Sequence, residues 1–208
     1  MSAGRLDHWR LTLHALGCLL VGRREAAHAS FSSMLALWPN NAYVLSSRAH
    51  LSAQIGRPEA ALADAQALTA AHPTRSAGDW FNLGFLLDQA GRLDEAESAF
   101  RRALTLDPKL DRGWYGLGLV LIRLRRLDEA LAALKRNTEL QPMSACGWHP
   151  LARLHVDRQD PDEARRIIGH LKGFEPKFAA QLERETGRGP DTGAERRRGA
   201  RPFSLRVA

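Results

Sequence analysis

The sequence predicts an all-α protein in which helix-turn-helix units repeat along the chain as a solenoid. Three residue types recur with one period over most of the 208 residues. Proline and alanine each return at intervals of 34, 35, 34 and 34 residues, and tryptophan returns twice at intervals of 34. A fixed period of this length indicates a repeat architecture. The prolines are Pro39, Pro73, Pro108, Pro142 and Pro176, the alanines are Ala27, Ala61, Ala96, Ala130 and Ala164, and the tryptophans are Trp80, Trp114 and Trp148.

Each period contains two helical patterns joined by a short turn. In the third period, Leu83 and Leu87 share one helix face, because residues three and four apart lie on the same side of a helix. Gly91 is expected to end this helix in a left-handed conformation. The second helix is expected to begin near Asp94, since acidic residues favour a first turn, and to end at Pro108.

This pattern resembles the tetratricopeptide repeat (TPR), a 34-residue unit with Trp-x2-Leu-Gly, then Ala-x3-Phe, then Pro. The resemblance covers about residues 8–178 and implies a right-handed superhelical solenoid of about five TPR units plus a short C-terminal capping helix. The fourth period also follows the pattern, whereas the first two periods diverge most. The matching residues of the third period are Trp80, Leu83, Gly84, Ala96, Phe100 and Pro108, with Leu87 in place of the usual Tyr.

The register sets the expected boundaries. We expect an N-terminal lead (1–7), five repeats (8–41, 42–75, 77–110, 111–144 and 145–178), a capping helix (179–186) and a basic tail (187–208). The single 35-residue interval predicts a longer loop at 72–78. Divergence of the first repeats is attributed to a terminal face with no neighbour to bury it. The tail is rich in Gly, Pro and Arg and is expected to be disordered.

Small residues and one proline make local predictions. Gly84, Gly118 and Ala152 are expected where the two helices of a unit cross closely, because a larger side chain there would overpack the crossing. Arg125 and Gln159 occupy the turn position that glycine holds in the first three units. Pro150 is poorly tolerated beyond a first turn, so its helix is expected to start late, near Gly147 or Trp148.

Composition excludes some classes of protein. The net charge is +7, of which the tail from 187 onward carries +4, so the repeats themselves are too mildly basic to indicate a nucleic-acid surface. The apolar segment 11–21 is too short to span a bilayer and lacks a cleavage site, so no targeting signal is expected. Two cysteines far apart in the array suit a cytoplasmic protein with reduced thiols.

The motif search gives no catalytic, cofactor or metal site. No Cys-x2-Cys pair or glycine-rich phosphate loop is present. His14, His155 and Cys18 fall at core positions of their units, so packing is the expected role of all three. The sequence therefore predicts a protein that is not an enzyme and needs no cofactor.

In TPR proteins the first helices of successive units line a concave groove that often holds a peptide or a partner's helix. By this resemblance, the candidate partner-binding residues flank the buried face of each first helix. Packing against the neighbouring repeat is the alternative role for the apolar ones. The candidates are Tyr43, His50, Phe81, Asn82, Phe85, Asp88, Arg112, Tyr115, Arg123, His149 and Arg153.

The resemblance thus implies a scaffold or adaptor whose partner is a protein or peptide of unknown identity. Two alternatives stay open: an obligate structural subunit of a larger complex, and a nucleic-acid-associated regulator that uses the Arg196-Arg197-Arg198 run. The paired basic residues Arg101-Arg102, Lys135-Arg136 and Arg165-Arg166 are expected to form a solvated outer face. The sequence leaves the oligomeric state open.

Overall fold

A computed structural model of the chain describes residues 3–186, with side chains described for residues 7–185. Within these residues the chain forms eleven α-helices and no strand, which confirms the all-α helical repeat. The molecule divides into two compact units, one ending at Pro142 and one beginning at Met143. The predicted basic tail, 187–208, lies outside the described residues.

The first unit contains four helix pairs. Each helix packs on the next one along the chain, both within a pair and between pairs. The first helix already begins at Ala3, so the expected non-repeat lead, where described, is helical. The helices are α1 (Ala3–Leu20), α2 (Arg24–Leu37), α3 (Ala42–Gln54), α4 (Pro58–Ala71), α5 (Ala77–Gln89), α6 (Leu93–Leu106), α7 (Asp111–Arg123) and α8 (Leu127–Leu140).

The second unit contains three helices: α9 (Ala145–Asp157), α10 (Pro161–Lys172) and α11 (Pro176–Thr186). Helix α11 packs on both α9 and α10, and it buries Ala179 and Leu182. It begins at Pro176, three residues earlier than the expected capping helix. Proline explains this start, because its fixed φ and missing N–H suit a first helical position.

The turn between the two helices of each pair uses a left-handed residue. Gly22, Gly56 and Gly91 have φ of +72°, +75° and +74°. Arg125 and Gln159 adopt the same conformation, with φ of 63° and 59°. The backbone geometry of the turn is therefore preserved where glycine is not, at a steric cost to the Cβ-bearing residue.

The tryptophans hold the loops that join successive pairs. The indole Nε1 of Trp80 donates to the carbonyl of Pro73, and that of Trp114 donates to the carbonyl of Pro108, each at 2.9 Å. Both rings are half-buried. This bond ties the first helix of a pair to the proline loop before it, which explains why Trp and Pro share one period. The loop before α5 has five residues, against four before α7, as the 35-residue interval predicts.

The third pair packs around the ring of Phe100. A Cβ added at Gly84 would lie 2.9 Å from Cδ1 of this ring, and one added at Gly116 would lie 2.7 Å from its Cζ. Both distances are shorter than carbon atoms tolerate. The predicted close crossing is present, and α5, α6 and α7 meet where this ring lies against two glycines. At Gly118, an added Cβ would lie 2.8 Å from the side chain of Leu134.

The divergence of the first two pairs has a chemical cause within each pair. Arg48 forms a two-bond ion pair with buried Asp64, at 2.8 and 2.6 Å. These residues occupy the register positions of Leu83 and Ala99 in the third pair. A polar pair has thus replaced an apolar pair, and each member satisfies the other as burial requires. The expected explanation by a free terminal face is not needed for this position.

The first pair carries the same exchange. His14 holds the register position of Arg48, and Ser30 that of Asp64. The Nδ1 of His14 lies 2.8 Å from the Oγ of Ser30. The prediction that His14 lies in the core is wrong, because this residue is exposed and held by a hydrogen bond. The core placement of Cys18 and His155 is confirmed.

The predicted late start of the fifth first helix is also wrong. Helix α9 begins at Ala145, with Ser144 in an extended conformation before it, and Pro150 lies inside the helix. At this depth proline removes the hydrogen bond that its N–H would donate to the carbonyl of Cys146. The packing of α9 on α10 and α11 maintains the helix despite that loss, as tertiary contacts often override local propensity.

We expect Gly116→Ala to lower the free energy of unfolding by about 1–3 kcal/mol, because the new methyl group would meet the ring of Phe100. Gly169→Ala is the matched control, since an added Cβ in the middle of α10 meets nothing within 4 Å. There alanine should stabilise by up to about 1 kcal/mol through helix propensity. Denaturant unfolding measures both effects. If Gly116→Ala stabilised the protein as much as Gly169→Ala does, the close packing of Gly116 against Phe100 would be contradicted.

We expect Arg125→Gly to raise the free energy of unfolding by about 1 kcal/mol, because glycine enters the left-handed region without a Cβ penalty. The reverse change, Gly91→Ala, should lower the free energy of unfolding by a similar amount. The positive φ is the only source of this cost, because no atom lies within 4 Å of the added Cβ. Thermal and denaturant unfolding of the two variants provide the measurement. A destabilising Arg125→Gly would mean that the arginine side chain holds the turn.

Candidate functional site

Seven of the eleven predicted partner-binding residues lie on α5 and α7. These two first helices contact each other within the first unit. Their flanking side chains form one surface, which we name the α5–α7 face. Its residues are Phe81, Asn82, Phe85 and Asp88 of α5 and Arg112, Tyr115 and Arg123 of α7.

The centre of the α5–α7 face is a stacked arginine. The guanidinium carbon of Arg112 lies 4.7 Å from the centroid of the Phe81 ring. The Phe81 ring packs in turn on buried Phe100, with centroids 5.7 Å apart. The ring quadrupole attracts the cation and fixes its position. Arg112 is exposed and has no carboxylate partner among the described residues, so its donors remain available to a ligand.

The second arginine of the face is used within the protein. Arg123 forms an ion pair with Asp88, and its Nη1 also donates to the backbone carbonyl of Asp88 at 3.2 Å. That carbonyl belongs to the last turn of α5, where a cation is favoured. Burial raises the pKa of the Asp88 carboxyl, and Arg123 opposes the shift. Arg123 and Asp88, two of the predicted partner-binding residues, are therefore already paired with each other.

The remaining side chains of the face differ in exposure. Asn82 is exposed and makes no hydrogen bond within the described part of the chain, so its amide can both donate and accept. Phe85 and Tyr115 are half-buried. Tyr115 also interacts with another group of the protein, so it is not a free side chain. The face thus combines partly exposed aromatic rings with one amide and one guanidinium that have no hydrogen-bond partner among the described residues.

The two predicted residues of α3 are exposed. Tyr43 has no polar partner among the described residues, whereas His50 lies 2.8 Å from the side-chain amide of Gln54, measured between the two Nε2 atoms. Among the described residues, no hydrogen bond, ion pair or ring contact joins either one to the α5–α7 face. The structure therefore does not bring them into that site.

The two predicted residues of the second unit lie on α9 and face α11. The ring of His149 packs on Phe178, with centroids 4.6 Å apart, and its Nε2 is buried without a partner. Burial lowers the pKa of His149 and Arg153 lowers it further, while Glu185 opposes the shift. Arg153 forms an ion pair with Glu185. The sequence did not predict these contacts of Phe178 and Glu185, since no repeat register assigns contacts to a capping helix.

Four of the six paired basic residues of the second helices have carboxylate partners: Arg101, Arg136, Arg165 and Arg166. Arg101 of α6 binds Glu97 of its own helix and Glu129 of α8. Arg126 binds the same two carboxylates, at 2.5 Å to Glu97 and 2.7 Å to Glu129. These four residues link the third and fourth pairs, although exposed ion pairs contribute little individually. Further along the chain, Arg136, Arg165 and Arg166 each bind an acidic residue three positions away.

No group of three His, Cys, Asp or Glu side chains within 3–186 is placed to hold a metal ion. Cys18 and Cys146 are free thiols, the first buried and the second exposed. Among the described helices, none combines the length and apolar character that crossing a membrane requires.

Comparison with known proteins identifies the repeat. The family model described as Tetratricopeptide repeat matches twice, over residues 47–111 and 81–142. No curated protein matches the chain in sequence.

Solved structures share the fold. A structure of MamA protein has 20% identity and a TM-score of 0.74, covering 88% of this chain and 96% of that chain. A tetratricopeptide repeat protein from Parabacteroides merdae has 20% identity and a TM-score of 0.76, with coverages of 88% and 74%. YrrB, described as a TPR protein with an unusual peptide-binding site, has 18% identity and a TM-score of 0.72, with coverages of 82% and 88%. At these identities the likeness concerns the fold alone, and the family match shows that the chain carries tetratricopeptide repeats over residues 47–142.

Proposed function

We propose that this protein is a non-catalytic, cytoplasmic scaffold that binds a partner peptide or helix on the α5–α7 face. The tetratricopeptide repeat fold supports a protein-interaction scaffold in general. The choice of surface is specific to this chain and rests on the side chains of α5 and α7. Fold by itself does not assign a site, so the argument uses the chemistry of that face.

The observation that carries the proposal is the exposed guanidinium of Arg112 stacked on Phe81. A cation fixed in place by a ring loses little side-chain entropy on binding, because its position is already restricted. Its planar donors suit a carboxylate, with which arginine forms paired hydrogen bonds. A partner with an aspartate, a glutamate or a terminal carboxylate would meet this requirement.

The surroundings of Arg112 suit an extended or helical segment. Phe81 and Phe85 offer partly exposed apolar surface on one helix, where side chains of a partner can be desolvated. Asn82 offers an amide that can pair with a peptide N–H and C=O together. The preferred ligand is thus an apolar segment with an acidic group beside it. YrrB, which shares this fold, is described as having a peptide-binding site, and this supports a peptide ligand here.

We expect the double variant Asn82→Ala, Arg112→Ala to weaken partner binding by at least about tenfold without lowering the melting temperature, since a charge-assisted hydrogen bond that the partner shields from water contributes about 1.5–3 kcal/mol. The partner is first identified by affinity capture and mass spectrometry. Calorimetric titration of that partner then compares wild type and variant.

The matched control is Lys135→Ala on α8, which removes one exposed positive charge outside the α5–α7 face, as Arg112→Ala does on that face. It should bind like wild type. Full affinity in the Asn82→Ala, Arg112→Ala variant would place the binding surface elsewhere. Equal losses in both variants would indicate a general effect of net charge.

A further inference from the structure

The second unit has an open groove along α10. Its volume is about 690 Å³, and it is lined by the end of α9, one side of α10 and Glu183 of α11. Val156, Pro161 and Ile168 give it an apolar surface. Gly169 also lines the groove, and no atom lies within 4 Å of a Cβ added there. The groove therefore has room for side chains from another segment.

The repeat register shows that the same side of a second helix is covered in the third pair. Arg165 lines the groove, and its side chain is 72% exposed. The equivalent residue of α6 is Glu97, whose side chain is only 11% exposed and is bound by Arg126, directly before α8. Within the described residues, α10 is followed by α11 alone. This side of α10 thus lacks the cover that a further second helix gives to α6.

The chain itself supplies the segment that begins nearest to this groove. Glu183 lies three residues before Thr186, where α11 ends, so residues 187–208 start beside the groove. A tethered segment is present at an effective concentration on the order of millimolar. A free partner would have to overcome this advantage by its affinity. The tether therefore favours an occupant from residues 187–208.

Residues 187–208 contain one apolar cluster. Phe203, Leu205 and Val207 alternate with polar residues, so in an extended segment all three lie on one side. The register does not predict a sixth second helix there, because Arg198 would take the position of buried Ala164. An extended segment with one apolar side fits this sequence better than a helix does.

We propose that residues 203–207 fold back in an extended conformation and cover the groove along α10. Phe203 follows Thr186 by 17 residues, and a Gly-rich chain of that length spans about 20–25 Å on average. Helix α10 has 12 residues and is therefore about 18 Å long. The segment can reach the whole groove at this length. The disorder expected for the tail would then be confined to residues 187–202.

Charge favours the same occupant. Residues 187–208 carry a net charge of +4. Asp157 and Asp160 follow Val156, which lines the groove, and both are exposed. The arginines of the segment therefore find two carboxylates that no lysine or arginine of the described residues binds as an ion pair. This inference goes beyond partner binding and uses no residue of the α5–α7 face.

Disulfide trapping in the intact chain tests the position of the segment. Gly169→Cys with Leu205→Cys, in a chain whose exposed Cys146 is replaced by serine, puts one thiol in the groove and one in the segment. Oxidised glutathione should close this disulfide at least about tenfold faster than it joins Leu205→Cys to the natural Cys146 at the start of α9, because docking raises the effective concentration of the two thiols. Peptide maps with and without reduction measure both rates.

A second change separates the apolar contacts from the tether. Phe203→Ser with Val207→Ser leaves the length and charge of the segment unchanged. It should slow trapping at residue 169 by about tenfold or more, since each buried side chain contributes about one factor of ten. Circular dichroism checks that every variant keeps the wild-type helix content. Equal trapping at residues 169 and 146, or trapping that the two serines do not slow, would overturn the proposal and leave the groove to a partner outside the chain.

Discussion

The close approach of three helices around Phe100 is the constraint on which the best-formed part of this protein depends. The ring, which belongs to α6, can pack against α5 and α7 only because Gly84 and Gly116 have no side chain that would overlap it. The same ring packs against the ring of Phe81, and the guanidinium of Arg112 stacks on the Phe81 ring. A packing requirement of the repeat thus positions Arg112, the side chain on which the proposed partner binding rests. Phe100 therefore contributes both to the packing of the repeat and to the position of the candidate site.

The sequence predicted the repeat because register is a property of spacing, which requires no knowledge of contacts. It also predicted the turn positions, including Arg125 and Gln159, where the backbone keeps a positive φ without glycine. Pairings were not predictable, because they depend on side-chain reach between separate helices. Arg48 with Asp64, Arg123 with Asp88 and the indole of Trp80 with a loop carbonyl are all of this kind. Spacing placed the candidate residues on a helix face but could not show which were already paired.

Pairing also separates two kinds of surface on the first unit. On the second-helix side, Arg101 of α6 and Arg126, which directly precedes α8, share the carboxylates of Glu97 and Glu129, so their charges are largely satisfied within the protein. On the α5–α7 face, Arg112 is stacked but has no carboxylate partner in the described chain. A binding surface needs fixed groups with unused capacity, since affinity comes from contacts made only in the complex. This difference favours the α5–α7 face over the second-helix side.

The central claim is that the partner lies on the α5–α7 face, and site-specific photo-cross-linking tests it most directly. A benzoyl-phenylalanine introduced at residue 85 reports on that face, and one at residue 132, which is exposed on α8, reports on the second-helix side. Irradiation of each protein with the captured partner is followed by mass analysis of the adducts. Covalent adducts from residue 85 with none from residue 132 are the predicted result. Adducts from residue 132 alone would contradict the account.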